Sequence, residues 1–467
     1  MRKKIYLQDK QRAVQLTKCI LVLVFIPLLL LGCQTPQTQS VVASPKPQPK
    51  ASASPSASPQ SEPTATPLPR ASVPVIQITL PPWLGQSPSP TAYPVPTPYL
   101  LQPRPVPSPA LALVDAINQF GFKAYQVLAQ ENKSQNMVFS PLGVSALVAY
   151  LYGQSSPEQK GELAKLMGWQ NFSDAQIGEY FQAVLEKVKL QDLVKFKLIN
   201  LHLFCKQEPK PLPQPPYLYE LGMGFSFFPL GGTPSQCQNS FNKIAQDAGP
   251  FNPTQIPFQQ EEVFAQALGF KVQWDAGYLG QDKDPRRHSF LLNSGELISH
   301  PKVGIVGTYE WLVSSDRLIR GVSIPSENRM YQNIFLEASS TEWKKNVYSL
   351  EQTLNYEYWQ KIRQSFERRE LIHTYPRFKT EFEFSPLALL EKLNPQIKNE
   401  KGVQLLAKTY LDLSQEPLPS SEPLESASEY IMNENYAYFP FTFIVTDKDT
   451  GLILLMAAIR NPAQDPL

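Results

Sequence analysis

NMVFSPLGVSALVAYLYG, residues 136–153, combines the signal of a short strand with the start and stop signals of a helix. Met137–Phe139 is an apolar run of the kind that forms a strand. Ser140 can cap a helix, Pro141 can occupy its first turn, and Gly153 can end it. The stretch therefore predicts a strand that leads directly into a helix.

Further helices are indicated on both sides of this stretch. Apolar residues recur every three or four positions before it, which predicts a helix with one buried face: Leu113, Ile117, Phe120, Ala124, Val127 and Leu128. After it, the segments Ser156–Gln159 and Ser173–Gln176 have the spacing of a capping box. They predict helices at about 157–168 and 174–190.

Later in the chain the apolar period changes from that of a helix to that of a strand. VKFKLINLHLF, residues 194–204, alternates between apolar and polar positions. FTFIVTDKDTGLILLMAAI, residues 441–459, indicates two strands around a turn at 447–451. Helices followed by strands predict an α+β domain with large antiparallel or mixed sheets and a C-terminal hairpin.

The N-terminus has the features of an export signal. A basic start precedes CILVLVFIPLLLLG, residues 19–32, a run shorter than the roughly 20 residues of a spanning helix. Residues 1–32 are therefore interpreted as a signal peptide. Leu30–Cys33 resembles a lipobox, which implies that Cys33 carries lipid and that the protein is anchored to the outside of a bacterial membrane. An ordinary signal peptide with an incidental cysteine is the alternative.

Residues 33–109 are dominated by proline and serine, as in SPKPQPKASASPSASPQSEPTATPLPR. Such a segment cannot bury enough apolar surface to offset its ordering entropy. Proline-rich chain is stiff and extends by about 3.1 Å per residue where it is polyproline-like. We expect a tether that holds residues 110–467 away from the bilayer, and we expect those residues to form one monomeric domain.

The composition offers little catalytic or binding chemistry. The net charge of +2 gives no electrostatic basis for nucleic-acid binding. The four histidines stand isolated in the sequence, with no metal-binding pair among them: His202, His288, His300 and His373. The sequence lacks a G-x-S-x-G elbow and a phosphate-binding glycine loop. We therefore expect no metal, no cofactor and no enzymatic activity.

Two of the four cysteines remain for the folded domain. Cys19 leaves with the signal peptide and Cys33 is the predicted lipid site. Cys205 and Cys237 are left as a disulfide, which an oxidising envelope would permit, or as two partly buried free thiols.

Five stretches, taken in order, resemble those of the serpin family. Residues 136–169 are similar to its F-S-P turn and the two following helices, and 264–278 to its F-K-G-x-W strand. Residues 290–303 resemble the next hairpin, 375–393 the P-R-F-K motif with its helix, and 438–462 the closing P-F-x-F hairpin with its N-P end. The resemblance implies a serpin-like fold with a large central sheet.

The same resemblance assigns SQEPLPSSEPLESASEYIM, residues 414–432, to the reactive-centre loop. It implies a serine or cysteine protease as partner, with the bait bond near Tyr430, Ile431 and Met432. In inhibitory serpins the cut loop enters the central sheet as a new middle strand, and its hinge is rich in small residues.

The hinge of this chain departs from that pattern. It consists of Gln415, Glu416, Pro417, Leu418, Pro419, Ser420, Ser421, Glu422 and Pro423. Proline has no N–H to donate and is confined to sheet edges and bulges. The three prolines of this hinge all have odd numbers, so in an extended strand their missing N–H donors would face the same neighbouring strand. Each carbonyl left unpaired on that strand would cost about 1 to 3 kcal/mol.

A buried polar network of the family is also altered. By alignment this chain keeps Ser140, but it has Gly143, Gln266 and Ala407 at the three other positions. These departures favour a serpin-family protein that does not insert its loop and acts as a binding scaffold or a protease substrate. A functional suicide inhibitor of serine or cysteine proteases is the alternative. A loop that blocks a protease reversibly without inserting is a compromise between the two, since it needs no opening of the sheet.

Overall fold

Two large β-sheets and a layer of helices make up the part of the chain that the structure, a computed structural model, describes. The described residues are 105–191, 196–205, 225–228, 232–274, 277–281, 289–326, 329–338, 350–414, 434–436 and 439–464. All of them belong to one unit, Pro94–Leu467.

The helices lie mainly in the first half of the described chain. They are α1 Leu111–Glu131, α2 Pro141–Gln154, α3 Pro157–Met167, α4 Asp174–Gln191, α5 Pro234–Ala245, α6 Tyr356–Arg363 and α7 Pro386–Leu393. Within the ranges given above, no helix is both long enough and apolar enough to cross a bilayer.

The predicted helix starts are confirmed by their caps. Ser140 Oγ accepts a hydrogen bond from the Gly143 N–H at the start of α2. Ser156 accepts one from the Gln159 N–H in the same way. The prediction that Gly153 ends α2 is wrong by one residue, since α2 runs to Gln154. The chain turns at Ser155 instead, because the N-cap of α3 requires extended backbone.

The strands fall into a five-stranded sheet, a nine-stranded sheet and a short hairpin. In chain order they are β1 Met137–Phe139, β2 Phe196–Phe204, β3 Phe225–Phe228, β4 Glu262–Lys271, β5 Gly277–Gln281, β6 Ser289–Leu291, β7 Leu297–Ser299, β8 Lys302–Val313, β9 Ile319–Pro325, β10 Tyr331–Ala338, β11 Glu367–Pro376, β12 Lys379–Phe384, β13 Gln404–Asp412, β14 Glu434–Tyr436, β15 Phe441–Asp447 and β16 Ile453–Ile459. The prediction of an α+β domain with mixed sheets is confirmed.

The five-stranded sheet, here called the central sheet, has the order β12-β13-β4-β2-β3. The nine-stranded sheet has the order β1-β16-β15-β10-β9-β8-β11-β14, with β5 also paired to β8. β6 and β7 form a separate hairpin. The predicted C-terminal hairpin is the β15–β16 pair inside the larger sheet.

The helix α2 is buried along most of its length in the main core. A buried amide joins the neighbouring α1 to the C-terminal hairpin: Asn118 Nδ2 donates to the Gly451 carbonyl at 3.0 Å, and the Ile453 N–H donates to Asn118 Oδ1 at 2.8 Å. Helices from the N-terminal third and strands from the C-terminus therefore share one core.

Arg460 fixes the segment after β16 to the turn that follows α1. Its guanidinium is buried and donates to the carbonyls of Asn132 and Gln135, both at 2.8 Å. It also reaches Glu351 Oε2 at 2.7 Å. Burial raises the pKa of the Glu351 carboxyl, and the Arg460 charge opposes that rise. Because each buried charge depends on the other, losing either one would leave an uncompensated ion in the core.

A second, smaller core covers the outer face of the central sheet, which is the face opposite α2. It is formed by apolar side chains of three strands, of α5 and of the segment after α5: Leu201, Leu203, Cys205, Cys237, Phe241, Ala245, Ala248, Phe251, Phe258, Val263, Ala265, Ala267, Leu406 and Tyr410. The segment approaches β4 so closely that Gly269 has no room for a side chain.

We predict that Gly269→Ala destabilises the protein. A Cβ atom at this position would lie 1.8 Å from the carbonyl oxygen of Ala248, so backbone would have to move. The expected loss is about 1–3 kcal/mol of unfolding free energy, measured by urea denaturation followed by tryptophan fluorescence.

Gly161→Ala is the control for this substitution. Gly161 lies inside α3, and apart from its chain neighbours and the nearby backbone of that helix no atom lies within 4 Å of the position that an alanine methyl group would take there. Alanine should therefore stabilise the helix by about 0.5–1 kcal/mol. Equal effects of the two substitutions would contradict the close approach of the segment to β4.

Candidate functional site

The candidate site is the seam between β4 and β13 in the middle of the central sheet, together with the loop that leaves β13. The two strands are parallel and are paired continuously from Gln404 opposite Val263 to Asp412 opposite Lys271. The Val272 N–H extends the contact by donating to the Asp412 carbonyl at 3.0 Å. The seam is therefore closed along the whole length of β13.

The chain is turned away from the sheet immediately after β13. Asp412 Oδ1 accepts from the N–H of Ser414 at 2.8 Å and from its hydroxyl at 2.5 Å. The Leu413 N–H donates to the Phe378 carbonyl at 2.9 Å, and Arg377 Nε donates to the Ser414 carbonyl at 2.9 Å. The arginine of the P-R-F-K motif thus holds the point from which the predicted reactive loop departs.

The loop itself lies outside the described residues, as do Cys33 and His288. This applies to all of its predicted site residues: Gln415, Glu416, Pro417, Leu418, Pro419, Pro423, Tyr430, Ile431 and Met432. The described chain resumes at β14, which is parallel to β11 in the nine-stranded sheet. The loop therefore connects the central sheet to the larger sheet.

Beneath the seam, the structure brings together the four residues that the alignment singled out. Gln266 lies opposite Ala407 in the β4–β13 ladder. The Gly143 N–H donates to Ser140 Oγ. Gly143 lies so close to Gln266 that a Cβ atom added to the glycine would be 2.4 Å from Gln266 Oε1. The Gln266 amide also donates to Asn200 Oδ1 on β2 at 3.2 Å.

These contacts connect β4 to β2 and to α2, but they do not connect it to β13. Ala407 has no polar side-chain atom to offer across the seam. Gln266 Oε1 is buried and has no hydrogen-bond partner among the residues that the structure describes. The altered network therefore does not hold β4 and β13 together. Their pairing depends on the backbone ladder and on the smaller core that covers the outer face.

His202, which stands isolated in the sequence, has two close polar neighbours in the fold. Its Nδ1 lies 2.8 Å from the Tyr150 hydroxyl, and its Nε2 lies 2.9 Å from Glu262 Oε1. The contact escaped sequence reasoning because the three residues come from α2, β2 and β4. Across the described ranges, no group of three or more His, Cys, Asp or Glu residues is arranged to hold a metal. Two further described histidines are buried: His300 and His373.

The structure joins Cys205 and Cys237 in a disulfide, with Cα atoms 5.8 Å apart. Cys205 directly follows β2 and Cys237 lies in the first turns of α5. Both residues belong to the smaller core on the outer face of the sheet. The bond therefore links α5 to the C-terminal end of β2.

Comparisons with known proteins agree with this geometry. A family model described as Serpin (serine protease inhibitor) matches residues 115–221. No curated protein sequence matches the chain.

Solved structures extend the likeness to the whole fold. Native protease nexin-1 with heparin is 13% identical, covers 76% of this chain and 100% of its own, and has a TM-score of 0.62. Mouse protein-Z dependent protease inhibitor is 15% identical, covers 76% of this chain and 98% of its own, and also has a TM-score of 0.62. Identities this low establish the fold alone.

We predict that Gly143 and Gln266 are energetically coupled. In Gly143→Ser the new side chain would collide with the Gln266 amide, which is fully buried and hydrogen-bonded to Asn200. Gln266→Asn shortens that amide by one methylene and makes room. In a double-mutant cycle of urea unfolding we expect a favourable coupling of about 0.5–3 kcal/mol. Additive losses would show that the two side chains do not share this space.

Proposed function

We propose that this chain, which belongs to the serpin superfamily, is a binding protein of the bacterial surface that does not inhibit proteases by inserting its reactive loop. It meets proteases through the loop after β13, and they either bind that loop reversibly or cut it as a substrate. The protein itself has no catalytic activity in this proposal.

The positions of Pro417, Pro419 and Pro423 carry the proposal. A strand that entered the seam would follow β13 and run antiparallel to both β13 and β4. In an antiparallel ladder, alternate residues direct their N–H and C=O groups to the same neighbour. All three prolines would therefore withhold donors from one strand, and each unpaired carbonyl costs about 1 to 3 kcal/mol.

The state of the seam supports the same conclusion. Insertion would first have to separate the continuous β4–β13 ladder from Gln404 to Asp412. A new strand has to replace every hydrogen bond lost on both sides in order to gain stability. A proline-rich strand cannot do this on one side.

The proposed location follows from the N-terminal sequence. Lipid on Cys33 would hold the protein at the outer side of a bacterial membrane, and residues 33–109 would extend the serpin domain away from it. A loop presented in this way can meet proteases that approach the cell from outside.

A suicide inhibitor of serine or cysteine proteases is the second candidate, with its bait bond near Tyr430, Ile431 and Met432. It is favoured by the name of one similar structure, mouse protein-Z dependent protease inhibitor. It is also compatible with a central sheet in which no described strand lies between β4 and β13.

We predict that proteases cut the loop without being trapped. The full chain is incubated with chymotrypsin-like and elastase-like proteases and is then examined on a denaturing gel. We expect a nicked product without an SDS-stable complex, because the loop cannot carry the acylated protease into the sheet. We also expect the melting temperature of the nicked protein to stay within a few degrees of the intact one, since no strand is added.

The triple variant Pro417→Ala/Pro419→Ala/Pro423→Ala provides the matched comparison. It restores three donors, so its melting temperature should rise on cleavage. A covalent complex, or a large rise in melting temperature of the nicked wild type, would establish the suicide-inhibitor function instead.

We predict that Cys33→Ser releases the protein from the membrane fraction, because the lipid attachment site is lost. Fractionation of cells followed by immunoblotting measures this. Cys19→Ser changes a cysteine inside the signal peptide and should leave the protein on the membrane. Release of neither variant would mean that another segment holds the protein there.

A further inference from the structure

The Cys205–Cys237 disulfide is buried inside the smaller core. Cys205 is 3% exposed, and Cys237 has no exposed surface. Apolar side chains of β2, α5 and β4 belong to the same cluster, and those of Leu203, Phe241 and Val263 are fully buried. The folded protein therefore offers neither sulfur atom to a reagent in solution.

Backbone hydrogen bonds hold each cysteine in its own element. The Cys205 N–H donates to the Glu261 carbonyl at 2.6 Å, just ahead of β4. The Cys237 N–H donates to the Thr233 carbonyl at 3.1 Å, in the first turn of α5, which begins with a capping box between Thr233 and Gln236. The two cysteines are 32 residues apart in sequence, so their sulfur atoms meet only when α5 lies against the sheet.

The segment after α5, residues 246–259, packs against the same helix. The Gln238 amide, next to Cys237, donates to the Thr254 carbonyl and accepts from the Phe258 N–H, both at 3.1 Å. Asn242 Oδ1 accepts from the Thr254 N–H at 3.0 Å. Because these contacts fasten the segment to α5, exposing the sulfur atoms requires both to leave their places.

Formation of a disulfide requires access to both sulfur atoms in turn. The thiolate of one cysteine attacks an external disulfide and forms a mixed disulfide, and the second cysteine then displaces the external thiol from it. The two cysteine thiols lose two electrons and two protons, and the external disulfide takes them up to become a dithiol. The rate of such an exchange depends on how far the reacting sulfur is exposed.

We infer that the Cys205–Cys237 bond is made before the smaller core closes, by a thiol oxidase that acts on the still open chain. The oxidase is defined by its chemistry: it transfers a disulfide to its substrate and works outside the reducing cytoplasm. The new bond places α5 beside β2, and the packing of α5 and residues 246–259 then buries it. The finished bond is equally out of reach of reductants.

The inference adds a partner that meets the chain before it has folded. It shares only the export of the chain with the proposed function and does not depend on what the loop after β13 does. The two can therefore fail separately, since no protease enters the tests of the disulfide.

The first test compares the rate of oxidation before and after folding. The full chain carries Cys19→Ser/Cys33→Ser, so that Cys205 and Cys237 are its only thiols. The reduced chain is refolded from urea, and oxidised glutathione is added either at the start or after folding is complete. We expect bond formation to be about tenfold slower or more in the folded chain, measured on a gel after alkylation of the remaining thiols. Equal rates would overturn the inference.

The reverse reaction decides the matter even if the reduced chain does not fold. The same variant with its disulfide formed is exposed to dithiothreitol in buffer and in urea above the unfolding midpoint. Reduction should be about tenfold slower or more in buffer, because the bond is reached only after unfolding. A bond that is reduced equally fast in both solutions would contradict its burial and with it the inference.

Ser315→Cys, made in the variant with its disulfide formed, is the matched control. Ser315 lies exposed in the turn between β8 and β9, so this substitution adds one accessible thiol. Its reaction with oxidised glutathione should proceed at similar rates in buffer and in urea. The control separates the effect of burial from the effect of urea on the exchange reaction itself.

The partner is tested in bacteria with and without their envelope thiol oxidase. Thiols of the wild-type chain are alkylated after acid quenching, and the disulfide-bonded fraction is read on a non-reducing gel. We expect this fraction to fall severalfold without the oxidase, and the amount of Cys205→Ser/Cys237→Ser protein to be the same in both strains. An unchanged disulfide-bonded fraction, or free thiols in both strains, would overturn the inference.

Discussion

The parallel ladder between β4 and β13 is the constraint on which the rest of this structure depends. These strands are distant in sequence, and their pairing closes the middle of the central sheet from Gln404 to Asp412. Buried backbone groups must be paired, so the ladder can open only if another strand supplies the same hydrogen bonds. The side chains on each face of the seam, and the loop that leaves β13, determine how readily such an exchange can occur.

All three surroundings of the seam favour the closed state. On the inner face, Gln266 takes the space that Gly143 leaves and turns to Asn200, so the side-chain hydrogen bonds run away from β13. On the outer face, α5 and residues 246–259 contact β2 through the Cys205–Cys237 disulfide and contact β12 and β13 through Glu383 and Lys408. After β13, the chain supplies a segment whose prolines cannot complete a ladder. These features act on different atoms, and each supports a binding role that leaves the sheet unopened.

Local signals were sufficient for much of the fold. The capping residues at 140, 156 and 173 and the changes of period predicted three helix starts and the strands β1, β2, β15 and β16 to within one or two residues, because those signals act between near neighbours in the chain. The end of α2 was missed by one residue since the cap of the next helix decided it. The proximity of Gly143, Gln266 and Ala407 was expected only through the family resemblance. Nothing in the sequence indicated that Asn200 accepts from Gln266, because that contact depends on the register between β2 and β4.

The sequence by itself determined the α+β class, the order of the first helices and of the C-terminal strands, the likeness to serpins and the proline content of the loop, since these depend on residue identity and on short-range periodicity. Only the tertiary structure decided that His202 has polar neighbours, that Cys205 lies beside Cys237, and that Lys408 of β13 is buried against Asn252 and against Glu383 of β12. Lys408 and Asn252 are separated by 156 residues. No local pattern encodes such a contact, because it arises only when a strand pairing and a crossing segment place both residues on the same face of one sheet.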